Sequence, residues 1–188
     1  DWRKYGVEGH FEARRPWYSY HEFFSKAMAE IAGAKESEVV AMGSLTANIH
    51  SLMASFYQPS KTRYKILCEK KAFPSDTYAM QAQAKLHGFD IADAIVEIGP
   101  KQGSDIITKD AIIEQIYELG DSLATVMIGG VNYYSGQVFD MAVITDAAHK
   151  VGAYCGFDLA HGMGNIEVKL HEWQVDFAAW CTYKYLNG

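Results

Sequence analysis

The chain has 188 residues, 49% of them hydrophobic, with 17 Lys and Arg against 23 Asp and Glu for a net charge of -6. That length supports one well-buried core and not two large ones, and the acidic balance argues against a nucleic-acid surface, which needs clustered Lys and Arg. No apolar run approaches the length of a membrane span and no signal peptide opens the chain, so a soluble, cytoplasmic protein without a membrane partner is expected.

Residues 1–20 include Gly6-Val7-Glu8-Gly9-His10-Phe11 and Pro16-Trp17-Tyr18. This aromatic content is too high for a disordered tail and reads as an ordered loop packed on a surface. His10 is either a ligand contact or a histidine satisfied by neighbouring backbone. From His21 to Ala34, helical spacing puts Phe23, Phe24, Ala27, Met28 and Ile31 on one stripe, predicted to face the core, with Gly33 near the stop. Glu38 to Met42 reads as a short strand entering Gly43-Ser44-Leu45-Thr46, and Thr46 to Tyr57 as a helix with Ile49, Leu52, Met53 and Phe56 inward. A strand, a small-residue turn and a hydroxyl-bearing helix start make an anion site, because the first helical amides are unpaired and the dipole is positive there. Ser44 and Thr46 are therefore phosphate ligands or plain N-caps.

Tyr64 to Cys68 is the next predicted strand, followed by Phe73-Pro74-Ser75-Asp76 and a helix from Thr77 to His87. Phe73, held before a proline, either stacks on a flat heterocycle or belongs to the core, and Asp76 is its near neighbour or an ordinary cap. Strands are predicted at Ile95–Ile98, Ala124–Ile128 and Tyr154–Leu159, and helices at Thr108–Leu119 and Met141–Val151. After a connector at Ile166–Trp173, the apolar run Phe177–Cys181 reads as a buried final strand that delivers Thr182-Tyr183-Lys184. Cys68, Cys155 and Cys181 are odd in number, lack CxxC spacing and lie in apolar strand contexts. They read as buried free thiols of a reducing compartment.

Alternating strands and helices specify an α/β fold of three layers, a mainly parallel sheet covered by helices. Ligands of such sheets sit at the carboxyl ends of the strands, which is where these candidates converge. Lys184, partly desolvated at a strand exit, is accessible there as a Schiff-base nucleophile. Asp158, ending Gly156-Phe157-Asp158, could hold a pyridinium nitrogen protonated, and the two form the pair that pyridoxal phosphate (PLP) requires. Other chemistries find little support: HExxH, Walker A and GxSxG are absent, and Gly162-Met163-Gly164 lacks the third glycine of a dinucleotide fingerprint. His161 beside Asp158 has no third ligand at metal-binding spacing, so no metal site is expected.

With these segments in place, the sequence resembles the kynureninase family of the fold type I (aspartate aminotransferase) PLP superfamily. The likeness runs along nearly the whole chain. Its motifs are Gly6–Phe11, Pro16-Trp17-Tyr18, Met42–Thr46, Phe73–Asp76, Gly130–Gln137, Gly156–His161 and Trp180–Asn187. The resemblance implies that Lys184 carries PLP covalently and that Asp158 pairs with its ring nitrogen. It implies that Phe73 stacks on the ring within Phe73-Pro74-Ser75-Asp76, and that Leu45, Thr46 and Tyr183 bind the phosphate. His161 would lie beside the cofactor and His10 would line the substrate pocket. Gly129 stands where the family usually has a small hydroxyl residue, and Met163 where a small residue is expected. The implied reaction is hydrolysis of the Cβ–Cγ bond of L-kynurenine or 3-hydroxykynurenine to L-alanine and anthranilate or its 3-hydroxy form, a step of tryptophan catabolism and NAD biosynthesis. Lys184 would move the Cα proton, and Tyr183 is the candidate for moving protons beside it. Residues 21–188 are then a partial PLP-binding large domain of a homodimeric enzyme. The small C-terminal domain would lie beyond the chain, and the 188 residues alone are expected to be inactive. The alternatives are a cysteine desulfurase-like enzyme, a class V aminotransferase, or a fragment serving only folding or dimerisation.

Overall fold

Five runs rich in aliphatic residues form strands, each parallel to its neighbours. β1 (Lys65–Glu69), β2 (Ile95–Ile98), β3 (Leu123–Gly129), β4 (Tyr154–Asp158) and β5 (Phe177–Ala179) lie in the order β2-β1-β3-β4-β5. The computed structural model describes residues 1–188. Parallel strands require crossovers, supplied here by α4 (Pro74–Leu86), α5 (Ile91–Ala94), α6 (Lys109–Leu119) and α7 (Met141–Lys150). Ahead of β1 come α1 (Trp2–Tyr5), α2 (Glu22–Ala32) and α3 (Leu45–Phe56). No helix is long and apolar enough to cross a membrane.

Successive side chains of a strand point to opposite faces, so each buried strand feeds two cores. Ile66 and Cys68 of β1 pack with Ile49 and Met53 of α3 and Ala79 and Met80 of α4. Leu67, between them, packs with Ile112 and Ile116 of α6 and Ile144 of α7 on the other face. The result is the expected three-layer α/β arrangement with the sheet in the middle. All three cysteines are buried and unpaired.

From β1 the chain goes first outward to β2, then crosses back to β3 on the other side. That reversal makes a crevice outside the carboxyl ends of β1 and β3, the standard ligand position of open parallel sheets. The opposite edge is clamped by Arg63, whose Nη1 donates to the carbonyls of Leu123 at 2.7 Å and Val151 at 2.8 Å. Register then places Gly129 opposite Asp158, and Asp158 opposite Ala179, in one row at the carboxyl edge.

Several sequence expectations are corrected. Glu38–Met42 is not a strand: Glu36–Glu38 is a 3-10 turn, and Val39 to Met42 run beside the sheet without joining it. Only Val39 of that run is buried, while Val40 and Met42 are exposed, so a short apolar stretch had no partner strand to enter. Most of the α2 stripe is not core either: Phe23 is 57% and Phe24 42% exposed, only Met28 of the stripe packs against the core, and the helix buries Ala29 and Ala32 instead. Ala29 and Ala32 pack in one core cluster with Val168 and Leu170, and the Ala32 and Gly33 carbonyls accept the Leu170 and His171 N–H groups at 3.1 and 3.0 Å, which leaves the aromatic side outward. Residues 2–10, expected as loop, form two short helical turns. The final strand ends at Ala179 rather than Cys181. The helix expected from Thr77 begins at Pro74, whose fixed φ suits the first helical position.

β4 reaches β5 closely because Gly156 has no side chain: a Cβ there would lie 2.1 Å from the Phe177 ring. That ring is buried and stacked on Phe56 with centroids 4.9 Å apart, so it cannot move aside freely. Gly156→Ala is expected to cost about 1–3 kcal/mol of stability through overpacking, measured as a lower midpoint in urea unfolding.

Candidate active site

A cavity of about 990 Å³ opens at the carboxyl edge of the sheet. Its wall brings together Leu45, Thr46, Phe73, Ser75 and Asp76 with Gly129, Asp158, His161, Tyr183 and Lys184, residues spread over most of the chain. Two expected residues stand apart from this wall. Pro74 opens α4 and serves the backbone, and His10 packs edge-on against Trp17 with ring centroids 5.3 Å apart.

Each side chain is placed by a local device. Ser44 caps α3, its Oγ accepting from Ala47 N–H at 3.3 Å. Asn48 Nδ2 donates back to the Met42 carbonyl at 2.7 Å and pins the preceding turn. The capping reading of Ser44 is thus the observed one, while Leu45 and Thr46 form the first helical turn, where backbone amides lack intrahelical partners. After β1 the chain turns through Lys71, in the left-handed region at φ 60°, and Phe73 becomes the residue preceding α4. Its ring meets Tyr133 edge-on at 5.2 Å. Asp76, in the first turn of α4, accepts from Ser75 Oγ at 3.1 Å. Asp158, 7% exposed, accepts the Ala160 N–H through Oδ1 at 2.7 Å. Lys184 Nζ lies 3.2 Å from His161 Nε2 and 5.9 Å from the centre of the Phe73 ring.

Sequence reading missed Glu69, the last residue of β1 and part of the same wall. It is 3% exposed; Oε1 accepts Gly129 N–H at 3.1 Å and Oε2 is buried without a partner. The rule that selected Asp158, a carboxylate ending an apolar strand, would also have selected Glu69. Tyr185 was missed as well, and no sequence signal links it to His161, because their contact is tertiary.

The site is short of positive charge. No ion pair includes Glu69, Asp76 or Asp158. Burial pushes the Glu69 carboxyl up to about 7, with the Asp158 carboxylate adding to the shift. Burial likewise holds Asp76 well above the usual carboxylate range, reinforced by the adjacent Asp158. Burial and the Lys184 charge hold His161 below the usual histidine range. The Cys181 thiol beside Tyr183 pushes its phenol upward.

The aminotransferase class-V profile matches residues 12–188, and the chain belongs to that family. Among curated relatives it is 56% identical to the kynureninase of Christiangramia forsetii over all 188 residues and 52% identical to that of Nematostella vectensis over 187. The chain spans 44% of the first protein's length and 40% of the second's. Among solved structures it superposes on a cysteine desulfurase from Thermococcus onnurineus with a TM-score of 0.71 at 22% identity, over 87% of this chain and 38% of that one. A cystine C-S lyase also gives 0.71, at 18% identity, over 88% of this chain and 42% of that one. At that identity the structural likeness is one of fold, a parallel sheet flanked by helices as in fold type I PLP enzymes.

The donor set fits PLP. An amine suits its aldehyde, and a buried carboxylate without a cationic partner suits its ring nitrogen. Aromatic rings can flank its plane, and the start of α3 suits its phosphate.

Glu69 gives the site a pH signature. Its proton is held up to about 7 in the folded chain against an ordinary 4.5, so between those values the native state binds more protons than the unfolded one. Stability therefore falls as pH rises through that window. Glu69→Gln keeps the acceptor for Gly129 N–H and has no proton to lose. It is expected to match the parent at pH 4 and exceed it at pH 8 by up to about 3 kcal/mol, read from urea unfolding at both pH values, with Asp76 keeping a residual slope in each.

Proposed function

We propose that the full-length protein is a kynureninase, using PLP to hydrolyse the Cβ–Cγ bond of L-kynurenine or 3-hydroxykynurenine to L-alanine and anthranilate or 3-hydroxyanthranilate. The observation that carries this reading is the shared wall of Lys184 and Asp158, an amine and a buried, unpaired carboxylate facing one cavity. The kynureninase relatives, 56% and 52% identical along the chain, support the substrate class.

When bound, PLP supplies an electron sink for charge developing on an amino-acid substrate. The protein's part is binding, orientation and proton transfer. Asp158, its Oδ1 already accepting from Ala160 N–H, would accept the ring N–H through Oδ2. Phe73 and His161, both on the cavity wall, would hold the ring. Leu45 and Thr46 offer backbone amides, and Thr46 a hydroxyl, to the phosphate. Lys184 Nζ is the base for the Cα proton of the substrate, and the Tyr183 phenol is the acid nearest it in sequence. A Cβ at Gly129 would lie 3.1 Å from Glu69 Oε1 and 3.4 Å from the Val131 carbonyl oxygen, so the position offers its backbone and a larger residue would crowd the carboxylate. We read the assembly as a cytoplasmic homodimer, for which the exposed Phe23, Phe24 and Ile31 of α2 offer apolar surface.

Borohydride reduction of the PLP-treated full-length protein, followed by peptide mass mapping, is expected to mark Lys184. Asp158→Ala should lower kynurenine turnover by at least about a hundredfold, the usual cost of removing one preorganised electrostatic partner. Full activity in that variant, or turnover of cysteine with none of kynurenine, would reject the assignment.

A further inference from the structure

The turn after β4 and the turn that carries Lys184 touch through a glycine. Gly164 has φ 77°, and a Cβ there would lie 2.5 Å from Leu186 Cδ2 and 3.4 Å from the Tyr185 carbonyl carbon. Only glycine meets both conditions, the left-handed backbone and the close approach. Asn165 Nδ2 donates to the His161 carbonyl at 2.9 Å and holds the first turn in shape. The His161 ring lies between Lys184 and Tyr185. Its Nε2 is 3.2 Å from Lys184 Nζ, and its Nδ1 is 3.1 Å from Tyr185 Oη.

We propose that Tyr185 is a positioning residue for Lys184, acting through His161, and that the three side chains form a proton path from the amine in the cavity to solvent. The inference rests on the reading of Lys184 as the reacting amine. A charged amine has only donors, so facing it His161 Nε2 must accept. Burial and the Lys184 charge lower the affinity of the imidazole for a second proton, against the opposing pull of Asp158. A neutral ring then carries its single proton on Nδ1, which donates to Tyr185 Oη. Tyr185 is 44% exposed, so its own hydroxyl reaches water. When Lys184 releases a proton, Nε2 takes it, Nδ1 passes its proton to Tyr185 Oη, and the phenolic proton goes to solvent. No charge remains on any of the three groups, and the ring ends as the other tautomer. The rings of Phe73 and Tyr183 also face Lys184, and Asp158 shares the cavity wall with it, but His161 Nε2 is the acceptor within hydrogen-bond distance of the amine.

The test uses the full-length enzyme labelled with ¹⁵N-histidine and freed of cofactor. The native spectrum at pH 7 should show His161 protonated on Nδ1. Tyr185→Phe removes only the hydroxyl, and His161 should then shift toward the Nε2–H tautomer that free imidazole favours. Capture of added PLP by Lys184, followed by visible absorbance, should slow about tenfold, a modest share of what general-base assistance supplies. The final amount captured and the melting temperature should not change. A merely structural Tyr185 would lower both of these and leave the tautomer in place. The proposal is overturned by His161 protonated on Nε2 in the native protein, or by a Tyr185→Phe variant with native tautomer and native capture rate. If that variant does not fold, the native spectrum still decides. Native protein that captures no PLP would overturn the functional assignment instead, a result distinct from either tautomer.

Discussion

The row of backbone pairing that sets Gly129 opposite Asp158 and Asp158 opposite Ala179 is the constraint on which the site depends. Two hydrogen bonds extend it past the strand ends, Gly130 N–H to the Asp158 carbonyl and Leu159 N–H to the Ala179 carbonyl, both at 2.8 Å. They lock the three exits together just where each chain leaves the sheet. A slip of one residue would turn every side chain of a strand to the other face. Asp158 would leave the cavity, and Phe157 would leave the core of α6 and α7. Backbone pairing therefore sets the carboxylate's position, and apolar burial on both faces keeps the register from sliding.

On that frame sits an electrostatic arrangement that differs from ordinary packing. Glu69 and Asp158 come from strand ends and Asp76 from a helix start, and they converge at the sheet's switch in strand order with no basic residue paired to them. Carboxylates crowded into low dielectric cannot all ionise, so protons must take the place of missing cations. A protein selected for stability alone would gain by replacing them with apolar groups. Their presence fits a site prepared for a ligand that brings its own cationic N–H.

Lys184 is held by a different kind of structure. β5 is only three residues long, and beyond it the chain is turn, tied by Gly188 N–H to the Thr182 carbonyl at 3.1 Å. The amine's position therefore comes from side-chain contacts, with His161 at its nitrogen and the Phe73 and Tyr183 rings near it. A strand end fixes Asp158 within the sheet, whereas Lys184 sits on a turn packed against Gly164 through Leu186 and Tyr185.

Much of this was legible in the residues alone. Apolar runs of strand length alternating with helical periodicity specify a parallel three-layer sheet, because both patterns follow from local backbone geometry. Strand-end position and the rule that ligands gather at carboxyl edges pointed to Phe73, Asp76, Asp158 and Lys184, which share one cavity wall, while His161 came only from the family resemblance. Periodicity could not say which apolar side faces inward: the α2 stripe met the helical pattern and most of it still points outward, since burial depends on what packs against it. Nor could spacing show that Val39 to Met42 would find no partner strand. The bond from Glu69 to Gly129 spans 60 positions and the one from Lys184 to His161 spans 23. Residue types and local periods are properties of the sequence, but contacts across such separations exist only once sheet register and two close-packed turns bring the chain back on itself.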